Sequence, residues 1–101
     1  MSKKVSLPMP NTLNLAPRMN FQAAKELYGN LTALANKDVE IDATGVEFLG
    51  GLAAQTIIVA QRDWGRGGHS VVVRNCTPAF RQSLDELGLS TFMTTEGGSA
   101  C

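Results

Sequence analysis

The chain has 101 residues, 44% of them hydrophobic, which is the size and composition of one globular domain. Nine basic residues balance nine acidic ones, so no net charge is present to attract nucleic acid or an anionic membrane surface. With one histidine and neither a CxxC nor an HxxxH spacing, the sequence does not supply the three or four converging ligands of a zinc site, and neither a metal nor a cofactor is expected. Because Cys101 ends a tail with little to hold it in place, a disulfide with Cys76 is not expected either.

The sequence contains no stretch that is typical of a membrane anchor. Its longest apolar stretch, from Leu52 to Ala60, is interrupted by Gln55 and Thr56 and is far below the roughly 20 residues that span a bilayer. The charged start of the chain leads into prolines instead of the apolar run of a secretory signal. We therefore expect a cytoplasmic protein that does not insert directly into a membrane.

The first part of the chain predicts two short strands followed by a helix. Apolar residues alternate with others first at Val5 and Leu7 and then at Leu13 and Leu15, which is typical of half-buried strands. From Pro17 to about residue 35, apolar residues recur at spacings of three and four and predict one helix. The apolar face expected for this helix consists of Phe21, Ala24, Leu27, Leu31 and Leu34.

The rest of the chain alternates between strands and helices. Strands are predicted over 39–43 and 70–73, and a mostly buried helix over 52–64, with Leu52, Thr56, Val59 and Ala60 on one face. Thr77 and Pro78 are typical of a helix start, and Gly88 of a helix end. This order predicts an α/β fold with a mixed central sheet of four to five strands and three or four helices, the later strands being joined by helical crossovers. A single domain over 1–101 is expected, with its core at about 5–93 and a flexible tail over 94–101.

The segment between the 39–43 strand and the following helix carries the most informative motif. Asp42, Thr44 and Gly45 end the strand, and Gly50 and Gly51 open the helix. This arrangement resembles the STAS domains of anti-sigma-factor antagonists and sulfate-transporter tails, where an Asp-x-Ser/Thr-Gly-Val turn precedes Asp-Ser-Ser-Gly at a helix start. The same family pattern is matched by Leu13-Asn14-Leu15, Gly67-Gly68, Asn75-Cys76-Thr77-Pro78 and Leu87-Gly88-Leu89. The resemblance covers roughly residues 5–93 and implies the STAS fold.

The chain departs from the family pattern at the position that a kinase phosphorylates in regulated relatives. The four residues of Asp-Ser-Ser-Gly are here Gly50, Gly51, Leu52 and Ala53, which carry no hydroxyl group. The phosphoserine switch of those relatives therefore cannot operate at this site. Thr44 lies before the loop and Thr56 lies a turn into the helix, so both are poor substitutes as acceptors.

A narrower resemblance is carried by residues 49–55 together with Ala60 and Trp64. They resemble short bacterial STAS proteins encoded beside chemotaxis components, and this implies a chemotaxis-type histidine kinase as partner. The expected function is non-catalytic: a signal-transduction module, monomer or weak homodimer, that docks the kinase and modulates its signalling. The partner-binding residues expected from the motif are Thr44, Gly45, Gly50, Gly51, Leu52 and Gln55.

Three alternatives remain open from the sequence. The chain could be the STAS subunit of a bacterial lipid-transport ATPase, an anti-sigma factor antagonist, or a small-ligand sensor that uses the glycine turn. For Gln55, contact with a partner and simple solvation are equally compatible with the pattern. Trp64 is the one tryptophan of the chain and is expected to cover the core more than to anchor an interface.

Overall fold

The computed structural model describes residues 11–93, which form three helices and five short strands. In chain order these are β1 Thr12–Asn14, β2 Arg18–Met19, α1 Phe21–Ala33, β3 Val39–Asp42, β4 Phe48–Leu49, α2 Gly51–Arg66, β5 Val71–Arg74 and α3 Pro78–Glu86. The strand predicted at Val5 and Leu7 and the tail predicted over 94–101 lie outside the described residues. None of the helices within 11–93 combines the length and the apolar character needed to cross a bilayer.

The central sheet of the described residues is parallel and has three strands in the order β1-β3-β5. A helix lies between successive strands of this sheet along the chain, and such crossover connections leave neighbouring strands parallel. This sheet has fewer strands within the described residues than the four to five expected, because β2 and β4 form a separate parallel pair. Val39 and Ile41 of β3 are fully buried, which places the core against the central strand.

Strand β2 replaces the first turn of the helix predicted from Pro17. The carbonyl of Pro17 accepts the backbone N–H groups of Glu47 (2.7 Å) and Phe48 (3.0 Å), so the next two residues pair with β4 instead of coiling. Helix α1 then begins at Phe21 after Asn20, whose side chain accepts the N–H of residue 23 at 3.0 Å. A side-chain cap at this position satisfies a backbone donor that the first helical turn leaves free.

The apolar faces of α1 and α2 differ in part from those predicted. Phe21 was expected in the core but is 66% exposed, because it opens its helix and its ring lies against the Lys25 ammonium at 5.5 Å. Helix α2 was expected to be mostly buried, yet its Leu52 and Val59 are 45% and 48% exposed. The buried stripe of α2 instead consists of Ala53, Ala54, Ile57, Ile58 and Ala60. Since three of these five are alanines, small side chains face the core and the larger Leu52 and Val59 project from it.

Helix α3 confirms the prediction made for its start. Thr77 is its N-cap and Pro78 its first residue, while Phe80 and Leu84 are buried. Gly88, predicted as the stop, has a φ of 72°, a left-handed conformation that glycine adopts without steric cost. The expectation of no disulfide was wrong for Cys76, which is disulfide-bonded. The second cysteine of the sequence, Cys101, lies outside the described residues.

Candidate functional site

The turn after β3 is organised by the carboxylate of Asp42. One of its oxygens, Oδ1, accepts the backbone N–H of Thr44 at 2.9 Å, the Thr44 hydroxyl, and the side-chain amide of Asn75 at 3.4 Å. The hydrogen bond from the Thr44 hydroxyl lowers the pKa of Asp42 below its ordinary 3.8. Partial burial acts in the opposite direction, and the hydrogen bonds from the Thr44 N–H and from Asn75 lower the pKa further. Asp42 thus fixes the shape of the turn, and Thr44 and Gly45 lie exposed on it.

Gly50 marks a point where two backbone segments come close together. Its N–H donates to the carbonyl oxygen of Met19 at 2.9 Å, beside the β2–β4 pair. A Cβ atom at residue 50 would lie only 3.0 Å from that same oxygen, which is closer than most real Cβ contacts. A side chain at residue 50 would therefore require the Met19 carbonyl to shift by a few tenths of an ångström, which disfavours the Ser, Thr, Asp or Asn that usually caps a helix. Helix α2 accordingly begins without a side-chain cap.

Three exposed apolar side chains surround this uncapped helix start, and we call Phe48, Leu52 and Leu87 the apolar rim. Their exposed fractions are 40%, 45% and 41%. The Phe48 ring would lie 3.5 Å from a Cβ at Gly50, and Leu87 Cδ2 would lie 3.6 Å from a Cβ at Gly51. The glycine pair therefore lies among larger apolar side chains from β4, from α2 and from the residue that follows α3.

A groove between α1 and α2 continues from the apolar rim along the exposed side of α2. Its volume is about 250 Å³, and it is lined by Tyr28, Leu31, Leu52, Gln55, Thr56, Val59, Ala60, Asp63 and Trp64. Trp64 is half-buried and packs against the core, as expected, while its indole Nε1 is buried without a hydrogen-bond partner in the described structure. We refer to this feature as the α1–α2 groove.

The six residues predicted to bind a partner fall into two neighbouring groups. Thr44 and Gly45 lie on the turn after β3, whereas the other four lie at and just inside the start of α2. Gln55 is exposed and lines the α1–α2 groove, and it also lines a second depression with Val59, Arg62 and Phe92. Both groups are accessible, and short backbone contacts to residue 17 and residue 19 hold the connecting segment in place.

Four further surface residues were missed by the sequence analysis. Val59 follows Leu52 by seven residues and was placed on the same face of α2, but it was not assigned to the binding surface. Phe48, Leu87 and Tyr28 reach this surface from β4, from just beyond α3, and from α1. Only the tertiary structure brings these three residues to the glycine pair and the groove.

The described residues contain no ready-made metal centre. Within 11–93, no three His, Cys, Asp or Glu side chains lie close enough together to hold an ion. Glu40 on β3 is a buried carboxylate, and its Oε2 lies 3.4 Å from Arg74 Nε. Such a strand-to-strand ion pair is a structural contact and does not extend to the surface around Gly50.

Comparison with known proteins gives one family match. A family model described as "Mlab, STAS domain" matches residues 6–95. The chain belongs to the STAS domain family. No curated protein matches the chain, and no solved structure matches it either. STAS domains act through protein–protein interactions, so membership indicates a regulatory module of the anti-sigma-antagonist type.

Proposed function

We propose that this STAS domain is a non-catalytic cytoplasmic module that docks a chemotaxis-type histidine kinase and modulates its signalling. Docking uses the turn at Thr44 and Gly45 and the start of α2 at Gly50, Gly51, Leu52 and Gln55. The observation that carries the proposal is the uncapped, hydroxyl-free start of α2, surrounded by the apolar rim. The kinase itself is inferred from the resemblance of residues 49–55 to chemotaxis-linked STAS proteins.

The apolar rim favours protein docking on energetic grounds. Phe48, Leu52 and Leu87 each leave about two fifths of their surface in water. Complete burial of one such side chain contributes about 1.5–3 kcal/mol, so covering the exposed parts of all three contributes roughly 2–4 kcal/mol before the cost of association. A contribution of this size is typical of the centre of a protein interface, where buried apolar anchors are surrounded by polar contacts such as Gln55.

The two nearest hydroxyl groups are already used within the domain. Thr44 donates its hydroxyl hydrogen to Asp42, and Thr56 donates to the carbonyl of Leu52 at 2.8 Å. Since Gly50 to Ala53 carry no hydroxyl, docking is proposed to be free of the serine phosphorylation that controls other STAS proteins. The domain would then act by binding one kinase conformation more tightly than another, which shifts the kinase population towards that conformation.

The test is affinity capture of the kinase from cell lysate with Gly51→Glu as the blocking variant. The variant should fold, because a Cβ at Gly51 makes only an ordinary contact with Leu87 and a carboxylate in the first helical turn interacts favourably with the helix dipole. Gly29→Glu is the matched control, since residue 29 is exposed on α1 and a Cβ there meets nothing within 4 Å. Kinase recovery should fall at least tenfold with Gly51→Glu and stay unchanged with Gly29→Glu, as measured by quantitative mass spectrometry.

Other outcomes identify which part of the proposal fails. Equal recovery of the kinase with wild type and Gly51→Glu would show that docking occurs elsewhere on the domain. Recovery of a transport ATPase would favour a lipid-transport subunit, and recovery of an anti-sigma factor would favour an antagonist role. In both cases the loss of capture with Gly51→Glu would still support the start of α2 as the docking site.

A further inference from the structure

The α1–α2 groove has the shape expected of a binding site for a helix. Residues of α2 line it at spacings of three and four from Leu52 to Trp64, which corresponds to about 18 Å of helix. Tyr28 and Leu31 of α1 form the opposite wall. The groove is therefore a channel bounded by two helices over more than three turns of α2, and it starts at the proposed docking residues Leu52 and Gln55.

The size of the groove favours side chains over a free small molecule. Its volume of about 250 Å³ exceeds the roughly 150 Å³ of an apolar cavity that holds benzene, but it lies below the roughly 300 Å³ at which ligand pockets begin. Tyr28 and Val59, which line it, are 66% and 48% exposed. The groove thus has room for one or two large apolar side chains presented by a longer partner segment.

The two walls indicate which backbone conformation that segment adopts. Both walls are α-helices, whose backbone N–H and C=O groups are already bonded within each helix except at the ends. An extended segment would find no ladder of backbone partners in such a groove, whereas a helix brings its own hydrogen bonds. An amphipathic helix is therefore the occupant that leaves the fewest backbone groups unsatisfied.

The charge distribution adds one feature to the occupant. Among the residues that line the groove, Asp63 is the only one with a charged side chain, and it lies near the Trp64 end. Its Oδ1 is 3.6 Å from Arg66 in an exposed pair, and such pairs contribute little stability and can exchange partners. A basic residue on the incoming helix would meet this carboxylate and fix the direction in which the helix lies.

From these features we infer that the α1–α2 groove receives one amphipathic helix of the partner protein. The helix presents apolar side chains at spacings of three and four and a Lys or Arg near Asp63. The inference rests on the proposed function in that it names the partner element that docks next to the start of α2. It adds Tyr28, Val59, Asp63 and Trp64 to the binding surface.

The test selects peptides on the full chain and reads their binding at Trp64. A displayed library of 18-residue peptides is enriched for binding to the wild-type protein and depleted of peptides that bind Val59→Glu. The enriched peptides that lack tryptophan are then synthesised. Trp64 is the one tryptophan of the sequence and lines the groove, so a shift of its fluorescence reports occupancy of this site. Val59 is about half exposed, so the glutamate should leave folding intact, which thermal melting checks.

The expected winners are helical by circular dichroism, carry apolar residues at spacings of three and four, and shift Trp64 emission to shorter wavelength in a saturable way. Their affinity should fall at least tenfold on Val59→Glu, remain unchanged on Gly29→Glu, and fall severalfold on Asp63→Asn. Failure to enrich any peptide, winners that bind Val59→Glu equally well, or winners without helical spacing would overturn the inference. A wild-type dimer in sedimentation that Val59→Glu dissociates would overturn it in favour of a second copy as occupant.

Kinase capture separates this inference from the proposed function. If Gly51→Glu abolishes capture while Val59→Glu retains all of it, the start of α2 stands as the docking site and the groove inference fails. If both variants abolish capture, both stand. If neither does, the docking site of the proposed function fails together with its extension along the groove.

Discussion

The starts of α2 and α3 are built in opposite ways. At α3, the Thr77 hydroxyl oxygen accepts the N–H of Phe80 at 3.0 Å, and the same hydroxyl donates to the carbonyl of Val46 at 2.7 Å. At α2, Gly50 provides no side-chain cap, and exposed apolar side chains lie around it. The start of α3 thus stabilises the fold, whereas the start of α2 lacks a stabilising side-chain cap and presents an exposed apolar surface. This difference is what makes the start of α2 the candidate for docking.

Part of this difference has a purely structural cause. The carbonyl oxygen of Met19 would lie only 3.0 Å from a Cβ at residue 50, so packing disfavours a capping side chain there. Gly51 is under no such constraint, because a Cβ there would lie 3.6 Å from Leu87. Packing therefore does not require a glycine at residue 51, and a functional reason is proposed for it.

The largest expected effect comes from removing the cap of α3. Thr77→Ala removes both the cap to Phe80 and the bond to Val46, whose buried residue then keeps an unsatisfied carbonyl. Loss of a helix cap costs about 1 kcal/mol and an orphaned buried acceptor about as much again, so the free energy of unfolding should fall by about 2 kcal/mol. Urea denaturation measures this, and Thr77→Ser should restore most of the loss. A loss below about 0.5 kcal/mol would show that the two helix starts do not differ as described.

The two glycines at the start of α2 should respond to the same change with opposite signs. Gly50→Ala should lower the free energy of unfolding by about 1–2 kcal/mol, because the added methyl group crowds a backbone oxygen. Gly51→Ala should raise it by about 0.5 kcal/mol, since alanine loses less conformational freedom on folding and meets no close neighbour. Paired urea denaturation curves check both values. If both variants were destabilised equally, the proposed difference in steric constraint between Gly50 and Gly51 would be wrong.

The smallest expected effect is the pH dependence that Asp42 gives to the turn beside α2. Its pKa in the folded state is lower than the ordinary 3.8, so the folded chain binds its proton less tightly than the unfolded chain. The stabilising effect of the ionised carboxylate is therefore complete above the unfolded pKa and is lost as pH falls through the folded pKa.

The measurement compares wild type with Asp42→Asn between pH 6 and pH 2.5. Asn can still accept the N–H of Thr44, so the variant changes the charge more than the turn. The difference in the free energy of unfolding should be constant above about pH 5 and should shrink below about pH 4. A difference that stays constant down to pH 2.5 would show that hydrogen bonding to the Asp42 carboxylate does not stabilise the turn.

Regular patterns along the chain allowed β3 and α3 to be predicted well. Alternating Val39 and Ile41 and the Thr77-Pro78 pair each specify a local structure that tertiary packing did not change. Strand β2 could not be predicted, because it is two residues long and depends on pairing with β4, which lies about 30 residues further along the chain. Phe21 matched the helical period but lies at a helix end, where the period alone does not ensure burial.

The candidate site was predictable only where one segment forms it. Gly50, Gly51 and Leu52 follow from the motif, and their departure from Asp-Ser-Ser-Gly could be read directly. The exposed side of α2 could not be predicted, because Leu52 and Ile57 are both apolar. The alanines decide which of the two faces the core. The other wall of the groove comes from α1, and no sequence pattern links it to α2.

The most direct test of the central claim is site-specific photo-cross-linking in living cells, with a benzoyl-phenylalanine placed at Gln55 or at Gln22. Both residues are exposed on helices, but Gln55 lies beside the start of α2 and Gln22 lies on α1 away from the groove lining. We expect a covalent adduct with a histidine kinase from residue 55 and none from residue 22. An adduct from residue 22 alone, or no adduct from residue 55, would contradict docking at α2.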